Sequence, residues 1–500
     1  MCDERPAGQE TDDAPATNTG GGPPRSGPPG NGPRDRRQDP RPDRDGNRGE
    51  SVPGRETNST LERASQGAHA GYRPDPSTGA AAIPIVQTTA YAFDSADDAA
   101  ARYALADDGH IYSRISNPTV ARLEERLATL AGGTGAVATG SGMAALDAIT
   151  LPLASAGDNV VCSTDTYGGT TAYFRSTAAR RGIEPRFVPT LDPAAYEAAI
   201  DEDTAFVHVE TIGNPSLVTP DFEAIAAIAH DHGVPLVVDN TFATPALCRP
   251  LEHGADVVWA STTKWLHGHG TTLGGVVIDG GRFPWHERAD RFPELAGENP
   301  AYTDVDFSRD FSHAPLAAAV RYRSLRSLGN QQSPFDSWQT LQGLETLSLR
   351  MDRHCENAAV VADFLADHDD VAWVTYPGHA AHPTHDHADR YLDDFGGMLA
   401  FGLDGGERSG DETADSHSGF EAGKRFCERV ELASFLANVG DAKTLVVHPA
   451  STTHGQLTTD ERADAGVSPD LIRVSVGLEA PADLLSDFDR AIRRATGGST

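Results

Sequence analysis

Lysine is scarce in this chain: among 500 residues it occurs only at Lys264, Lys424 and Lys443. Lys424 and Lys443 sit in stretches of Ala, Glu and Asp that suit a solvated helix or loop. Lys264 instead ends the run Val257-Val258-Trp259-Ala260-Ser261-Thr262-Thr263, and Gly268, Gly270, Gly274 and Gly275 crowd in behind it. An ammonium group at the end of a buried strand has a desolvation cost and a lowered pKa. That makes Lys264 a candidate Schiff-base former. The bland alternative is a lysine that snorkels out from a strand end.

Other chemically capable residues also follow apolar runs. Asp239 comes directly after Val237-Val238, and Tyr167 comes shortly after Val160-Val161. Glu210 and Asn214 follow Val207-His208-Val209. Gly140-Ser141-Gly142-Met143 follows Ala136-Val137-Ala138 and presents free amides at a helix start, an anion site. In an open α/β sheet, ligands bind beyond the carboxyl ends of the strands. An amine, a carboxylate, a ring and a phosphate cradle on one edge are the requirements of pyridoxal phosphate. Singly, Asp239 could be a helix N-cap, Tyr167 a core aromatic and the glycine pair a plain turn. Their coincidence favours the cofactor. Gly140, Gly142 and Ala145 also match a dinucleotide fingerprint, the mark of an NAD-dependent oxidoreductase. That reading lacks its acidic residue at the end of the second strand, since Asp165 follows a Ser-Thr loop, and it leaves Lys264 unexplained.

The elements that must position these residues alternate. Short apolar strands at 136–138, 159–162, 205–209, 234–238, 257–260 and 275–278 are separated by helical stretches, which predicts a mainly parallel sheet covered on both faces. Beyond about residue 320 a long helical stretch leads into separated strands at 371–374, 398–403, 445–447 and 472–476, as in a smaller α+β domain. The expected organisation is a Pro/Gly/Arg-rich disordered tail over 1–66, an extended arm over 67–120, an α/β domain over 121–320 and an α+β domain over 321–497. A polar, acidic insertion over 405–419 reads as a surface loop.

Hydrophobic residues make up 38% of the chain, enough for a globular enzyme, and no apolar run approaches the length of a membrane span. Neither a secretory signal nor a C-x-x-C pair is evident, and five scattered cysteines suit a reducing cytoplasm. The formal charge of −32 argues against nucleic acid or an anionic membrane as partner. Residues 1–66 hold ten Arg and twelve acidic side chains, so the excess belongs to the remainder. His382, His385 and His387 with Asp386 and Asp389 look superficially like a metal site, but they lie beside Pro383 among exposed acids, and no metal is expected.

Several long runs then point to a family. They include Tyr112-Ser-Arg-Ile-Ser-Asn-Pro-Thr119, Ala138-Thr-Gly-Ser-Gly-Met-Ala-Ala145, Tyr167-Gly-Gly-Thr170 and Gly213-Asn-Pro215. Further on come Val238-Asp-Asn-Thr-Phe-Ala-Thr-Pro245, His448-Pro-Ala-Ser-Thr-Thr-His454 and Arg473-Val-Ser-Val-Gly-Leu-Glu479. In these, the chain from about Gly67 to Ala495 resembles the cystathionine γ-synthase (Cys/Met metabolism) family of fold-type-I pyridoxal-phosphate enzymes, and within it the O-acetylhomoserine sulfhydrylases. The resemblance implies that Lys264 is the Schiff-base lysine, that Asp239 pairs with the ring nitrogen and that Tyr167 stacks on the ring. Gly142, Met143, Ser261 and Thr263 would hold the phosphate, joined by Tyr112 and Arg114 from a neighbouring subunit of a dimer of dimers. Asn214 would contact the phenolic oxygen, and Arg473 would clamp the substrate carboxylate with help from the backbone at Asn438 and Val439.

The implied reaction is γ-substitution, sulfide replacing acetate on O-acetylhomoserine to give homocysteine for methionine biosynthesis. Cystathionine γ-synthase and methionine γ-lyase are the nearer alternatives. Methionine γ-lyases resembling this chain carry a cysteine directly after the Tyr-Gly pair, where Gly169 stands here. The aromatic segment 279–323, with Phe283, Trp285, Phe292, Tyr302, Phe307 and Phe311, is expected to narrow the entrance so that sulfide passes and cysteine is hindered.

The combination of acid excess, little Lys and much Arg resembles proteins of salt-loving archaea. Lowering salt from molar to 0.1 M lengthens the Debye distance from roughly 3 Å to about 10 Å, so carboxylate repulsion should lower Tm. A Tm that stays unchanged at low salt would leave GC-driven composition as the explanation of the Arg-for-Lys bias.

Overall fold

The computed structural model describes residues 60–297, 301–404 and 415–497. The expected tail therefore lies outside the described residues up to 59, and its predicted end at 66 is too late. Arg63–His69 is a helix packed on the helices Pro118–Ala131 and Leu347–Ala366. Its only apolar side chains are Ala64 and Ala68, so it carries little hydrophobic signature. Polar contacts hold it instead: Arg249 Nη2 donates to Gln66 Oε1 at 2.7 Å, and Arg126 Nε donates to Ala70 O at 2.8 Å.

The first sheet has seven strands among the described residues. These are β1 (Gly135–Thr139), β2 (Asn159–Ser163), β3 (Glu184–Val188), β4 (Thr204–Glu210), β5 (Leu236–Asp239), β6 (Val257–Ala260) and β7 (Gly275–Asp279). Their order is β1-β7-β6-β5-β4-β2-β3. All pairs are parallel except those of β7, which runs antiparallel to both β1 and β6. Alternation of side chains along each strand feeds two cores. Val207, Val209, Val238 and Val258 enter one, and Phe206, Val237, Val257 and Trp259 enter the other. The sequence reading misses β3, whose residues Glu-Pro-Arg-Phe-Val lie on the sheet edge. An edge strand is half solvated and tolerates Pro, so its apolar signal is weak.

The second sheet is β8 (Val371–Thr375), β9 (Met398–Leu403), β10 (Ser434–Phe435), β11 (Leu445–Val447) and β12 (Leu471–Ser475), in the order β10-β11-β12-β9-β8. Helices Leu347–Ala366, Asp415–Arg429 and Pro481–Thr496 form its core through Val361, Phe426, Leu484 and Phe488. Two expected boundaries shift. The division at 320/321 cuts a continuous helical stretch from Pro315 to Leu328, which packs on the helix Gly142–Leu153 beside the first sheet. Of the expected loop at 405–419, residues 405–414 lie outside the described residues and 415–419 are helical.

The arm before Pro118 is organised by Asn117. Its side chain caps the helix by accepting the Thr119 amide at 2.9 Å, and its Nδ2 donates to Val86 O at 2.8 Å. Much of the arm faces outward, including Ile85, Phe93 and Tyr112.

Candidate active site

Because β4, β5 and β6 are parallel, their carboxyl ends lie side by side. They deliver Glu210, Asp239 and the turn Ser261–Lys264 to one edge. Reversal of β7 brings Gly274 and Gly275 to the same edge, against the turn that starts the helix Gly142–Leu153. The approach there is very close: a Cβ on Gly142 would lie 2.8 Å from Ser261 Cβ, and one on Gly275 would lie 2.2 Å from Ser141 O. Ser141 caps the helix by accepting the Ala144 amide at 3.1 Å, leaving the Gly142 and Met143 amides at its open end. Thr263 is locked to the same backbone. Its Oγ1 donates to Gly274 O at 3.1 Å and accepts the Gly274 amide at 3.0 Å.

Across from this edge stands the second sheet. Arg473 on β12 and the loop Ala437–Val439 close a cavity of about 630 Å³ lined by Gly142, Met143, Tyr167, Glu210, Asn214, Asp239, Ser261, Thr263 and Lys264. Lys264 Nζ donates to Asn438 Oδ1 at 2.5 Å, and Arg473 Nη1 donates to Asn214 Oδ1 at 3.0 Å. Burial, reinforced by the Arg473 cation, lowers the Lys264 pKa to about 8. Burial also lowers that of Arg473 to about 10. The other two lysines are ion-paired outside this cavity: Lys424 with Glu421, and the exposed Lys443 with the buried Asp441.

Opposite these cations are two carboxyls in register on adjacent strands, Glu210 and Asp239. Burial raises both, and Asp239 raises Glu210 further. Each carboxyl is also given donors. The Tyr167 amide donates to Glu210 Oε1 at 2.6 Å, and Thr241 donates through both its amide and hydroxyl to Asp239 Oδ1. The Glu210 contact fixes the turn carrying Tyr167, a residue that is 48% exposed and lines the cavity.

Of the residues expected at the site, Lys264, Tyr167, Asp239, Gly142, Met143, Ser261, Thr263, Asn214, Arg473, Asn438 and Val439 all line this cavity. Tyr112 and Arg114 do not. They stack on each other with the guanidinium carbon 5.3 Å from the ring centre, on the outward-facing arm. The aromatic segment 279–323 is also elsewhere. Phe283, Trp285, Phe292 and Phe307 are buried in the core on the Trp259 face of the sheet, with Tyr302 and Phe311 packed against them. It therefore does not narrow the entrance. Phe242, Leu273, Thr453, His454 and Leu457 also line the cavity. The expectation overlooks these and Thr241, although two of the recognised runs contain Thr241, Phe242, Thr453 and His454.

The histidines near 385 are occupied with backbone. His385 Nδ1 lies 2.9 Å from Pro377 O and His387 Nδ1 lies 3.1 Å from Thr219 O. Among the described residues no group of three potential ligands is arranged to hold a metal. No helix among them is long and apolar enough to cross a membrane.

A desolvated amine, a buried carboxyl pair, and a helix-start turn packed so closely on Ser261 that Gly142 has no room for a Cβ suit an aldehyde-bearing, cationic-ring, phosphorylated cofactor. These are the requirements of a pyridoxal-phosphate enzyme. The profile of the Cys/Met metabolism PLP-dependent enzymes matches residues 64–493, and the chain belongs to that family. It is 46% identical to a homocysteine synthase of Schizosaccharomyces pombe, covering 85% of this chain and 97% of the relative. It is 46% identical to an O-acetyl-L-homoserine sulfhydrylase of Thermus thermophilus, covering 85% and 98%. Among solved structures, one from Campylobacter jejuni described as an O-acetylhomoserine (thiol)-lyase aligns with a TM-score of 0.81 and 37% identity, over 87% of this chain and 100% of that one. That structure carries its cofactor as N'-pyridoxyl-lysine-5'-monophosphate.

The carboxyl pair gives a prediction for the cofactor-free protein. A carboxyl whose folded pKa is raised holds its proton more tightly when folded. It therefore costs stability as pH climbs from the ordinary carboxylate range through the raised value. Asp239→Asn removes that cost, so its Tm relative to wild type should be higher by a few degrees at pH about 8 than at pH about 5. A pH-independent difference, read by differential scanning calorimetry, would mean Asp239 is not held protonated by its surroundings.

Proposed function

We propose that the protein is an O-acetylhomoserine sulfhydrylase, replacing the acetyl ester oxygen at Cγ with sulfide to release acetate and homocysteine. The observation that carries this reading is Lys264, a half-buried lysine with a lowered pKa, sharing one cavity with Asp239 and Arg473. The relatives' activities support the choice of acyl-homoserine and sulfide.

Pyridoxal phosphate, when bound, supplies an aldehyde that condenses with amines and a ring that draws electrons away from the substrate α-carbon. The chain supplies the rest. The amides of Gly142 and Met143 with Ser261 and Thr263 would hold the phosphate, and Asp239 would hold the ring nitrogen. Tyr167, its turn anchored by Glu210, would cover the ring. Arg473, steadied by Asn214, takes the substrate carboxylate, and the Asn438-Val439 backbone assists. Attachment of the carboxylate at this fixed point would hold the substrate in one orientation.

With a pKa near 8, Lys264 is partly unprotonated around neutrality. Its amine takes the Cα proton, assists loss of the Cβ proton and returns protons once sulfide has added at Cγ. Tyr112 and Arg114, outside the cavity of their own chain, serve the phosphate of a neighbouring subunit in a dimer, itself within a dimer of dimers. The compartment is the cytoplasm. The acidic surface suits high internal salt.

O-acetylhomoserine with sulfide should yield homocysteine and acetate at higher kcat/KM than with cysteine. Lys264→Ala should lose the visible absorbance of the bound cofactor and more than about a thousandfold in turnover. Cystathionine as the faster product, or ammonia release from methionine outpacing acetate release, would replace the sulfhydrylase reading with another reaction of the family.

The shared site has its own check. Arg114→Ala and Lys264→Ala subunits should each have little activity alone, and mixing them should restore up to about a quarter of wild-type activity, since one site of each mixed dimer is intact. Mixtures that remain inactive would refute the arm's role in the neighbouring site.

A further inference from the structure

Thr241 lies two residues beyond Asp239 and is tied on both sides. The Ser261 amide donates to Thr241 Oγ1 at 2.9 Å. A backbone amide can only donate, so Oγ1 is the acceptor in that bond and its own proton is free for a second partner. The second partner is Asp239 Oδ1 at 2.5 Å, which also accepts the Thr241 amide at 2.9 Å. The direction of the chain is thereby set: Ser261 amide to Thr241 hydroxyl to Asp239 carboxylate. Asp239 is in need of such donors, because it is buried and Glu210 stands in register beside it on β4. Bonds donated to the charged form of a carboxyl favour that form.

We propose that Thr241 is a positioning residue for the cofactor, committing Oδ1 of Asp239 to two donors that favour the charged form against burial, so that its other oxygen is left to meet the cationic ring nitrogen. The same hydroxyl receives the amide of Ser261, so the ring-nitrogen site and the phosphate cradle are joined through one side chain. Retaining a hydroxyl at this position matters more than retaining its methyl group. Val is nearly isosteric with Thr, but it would leave the Ser261 amide without an acceptor and Asp239 with one donor in place of two.

The inference rests on the cavity being the cofactor site and is independent of which substrates are used. Its test is the affinity of cofactor-free protein for pyridoxal phosphate, followed by the visible absorbance of the bound cofactor and by tryptophan fluorescence. The proteins compared are wild type, Thr241→Ser, Thr241→Val, Asp239→Asn and the double variant Asp239→Asn/Thr241→Val. Thr241→Ser should stay within about threefold of wild type, and Thr241→Val should bind about tenfold or more weakly. In the Asp239→Asn background, Thr241→Val should change affinity much less, because the interaction it removes acts through the carboxylate. Equal losses in both backgrounds, or a Ser variant as weak as Val, would overturn the proposal and leave Thr241 a packing residue. Should Thr241→Val fail to fold, Thr241→Ala completes the same cycle with the same two outcomes. A Lys264→Ala protein with the visible spectrum of wild type would instead overturn the lysine site itself, and a different acceptor or sulfur donor would leave the Thr241 cycle unaffected.

Discussion

Holding four ionisable groups away from bulk water in one cavity is the constraint on which this structure depends. Lys264 and Arg473 on one side, and Asp239 and Glu210 on the other, are each costly to desolvate. Neither pair is neutralised by direct contact with the other. The amine rests on the Asn438 amide oxygen and the guanidinium on that of Asn214, while the carboxyls take amide and hydroxyl donors. Such neutral partners orient the two cations without quenching them, and they partly offset the burial that favours the neutral form of the two carboxyls. The stability forgone is the kind of expense met at functional sites.

The architecture follows from that demand. Only the carboxyl ends of parallel strands place three successive chain segments side by side with their following turns free. A fully parallel sheet would send the strand after Lys264 away through another crossover. The reversed β7 returns at once, and its first residues close the anion cradle against Ser141 and Ser261. The second sheet supplies what the first cannot, a wall facing the strand ends. Arg473 on β12 points from a strand otherwise buried among Leu471, Ile472 and Val474, so its cation is fixed by the rigid element on which it sits.

Charge on the outside raises a separate issue. Most carboxylates beyond the cavity are solvated, and their surface ion pairs, such as Arg493 with Asp489, contribute little singly. Their collective repulsion depends on ionic strength and acts on the whole molecule, whereas the cavity charges are shielded from salt by burial. Catalytic electrostatics and surface electrostatics are thus separable properties of one chain.

Much of the site was legible in the amino-acid sequence, for a physical reason: a buried parallel strand must be apolar throughout, so a charged residue at its end is conspicuous. Lys264 and Asp239 announce themselves this way, and Gly142 marks a backbone approach that no Cβ permits. The alternation of apolar runs and helices likewise foretold a large mainly parallel sheet and a smaller α+β part. Arg473 needed the family resemblance, since a single Arg in a strand reads as solvent-facing. Tertiary structure alone decided the rest. Polar helices such as Arg63–His69 are held by hydrogen bonds to distant residues, which leave no periodic trace. The aromatic side chains from Phe283 to Phe311 look the same in sequence whether they guard an entrance or fill a core, and packing put them in the core. Thr241 is an ordinary hydroxyl until folding sets the Ser261 amide on one side of it and the Asp239 carboxylate on the other, because the direction of a hydrogen bond is fixed by partners that the chain brings together only in three dimensions.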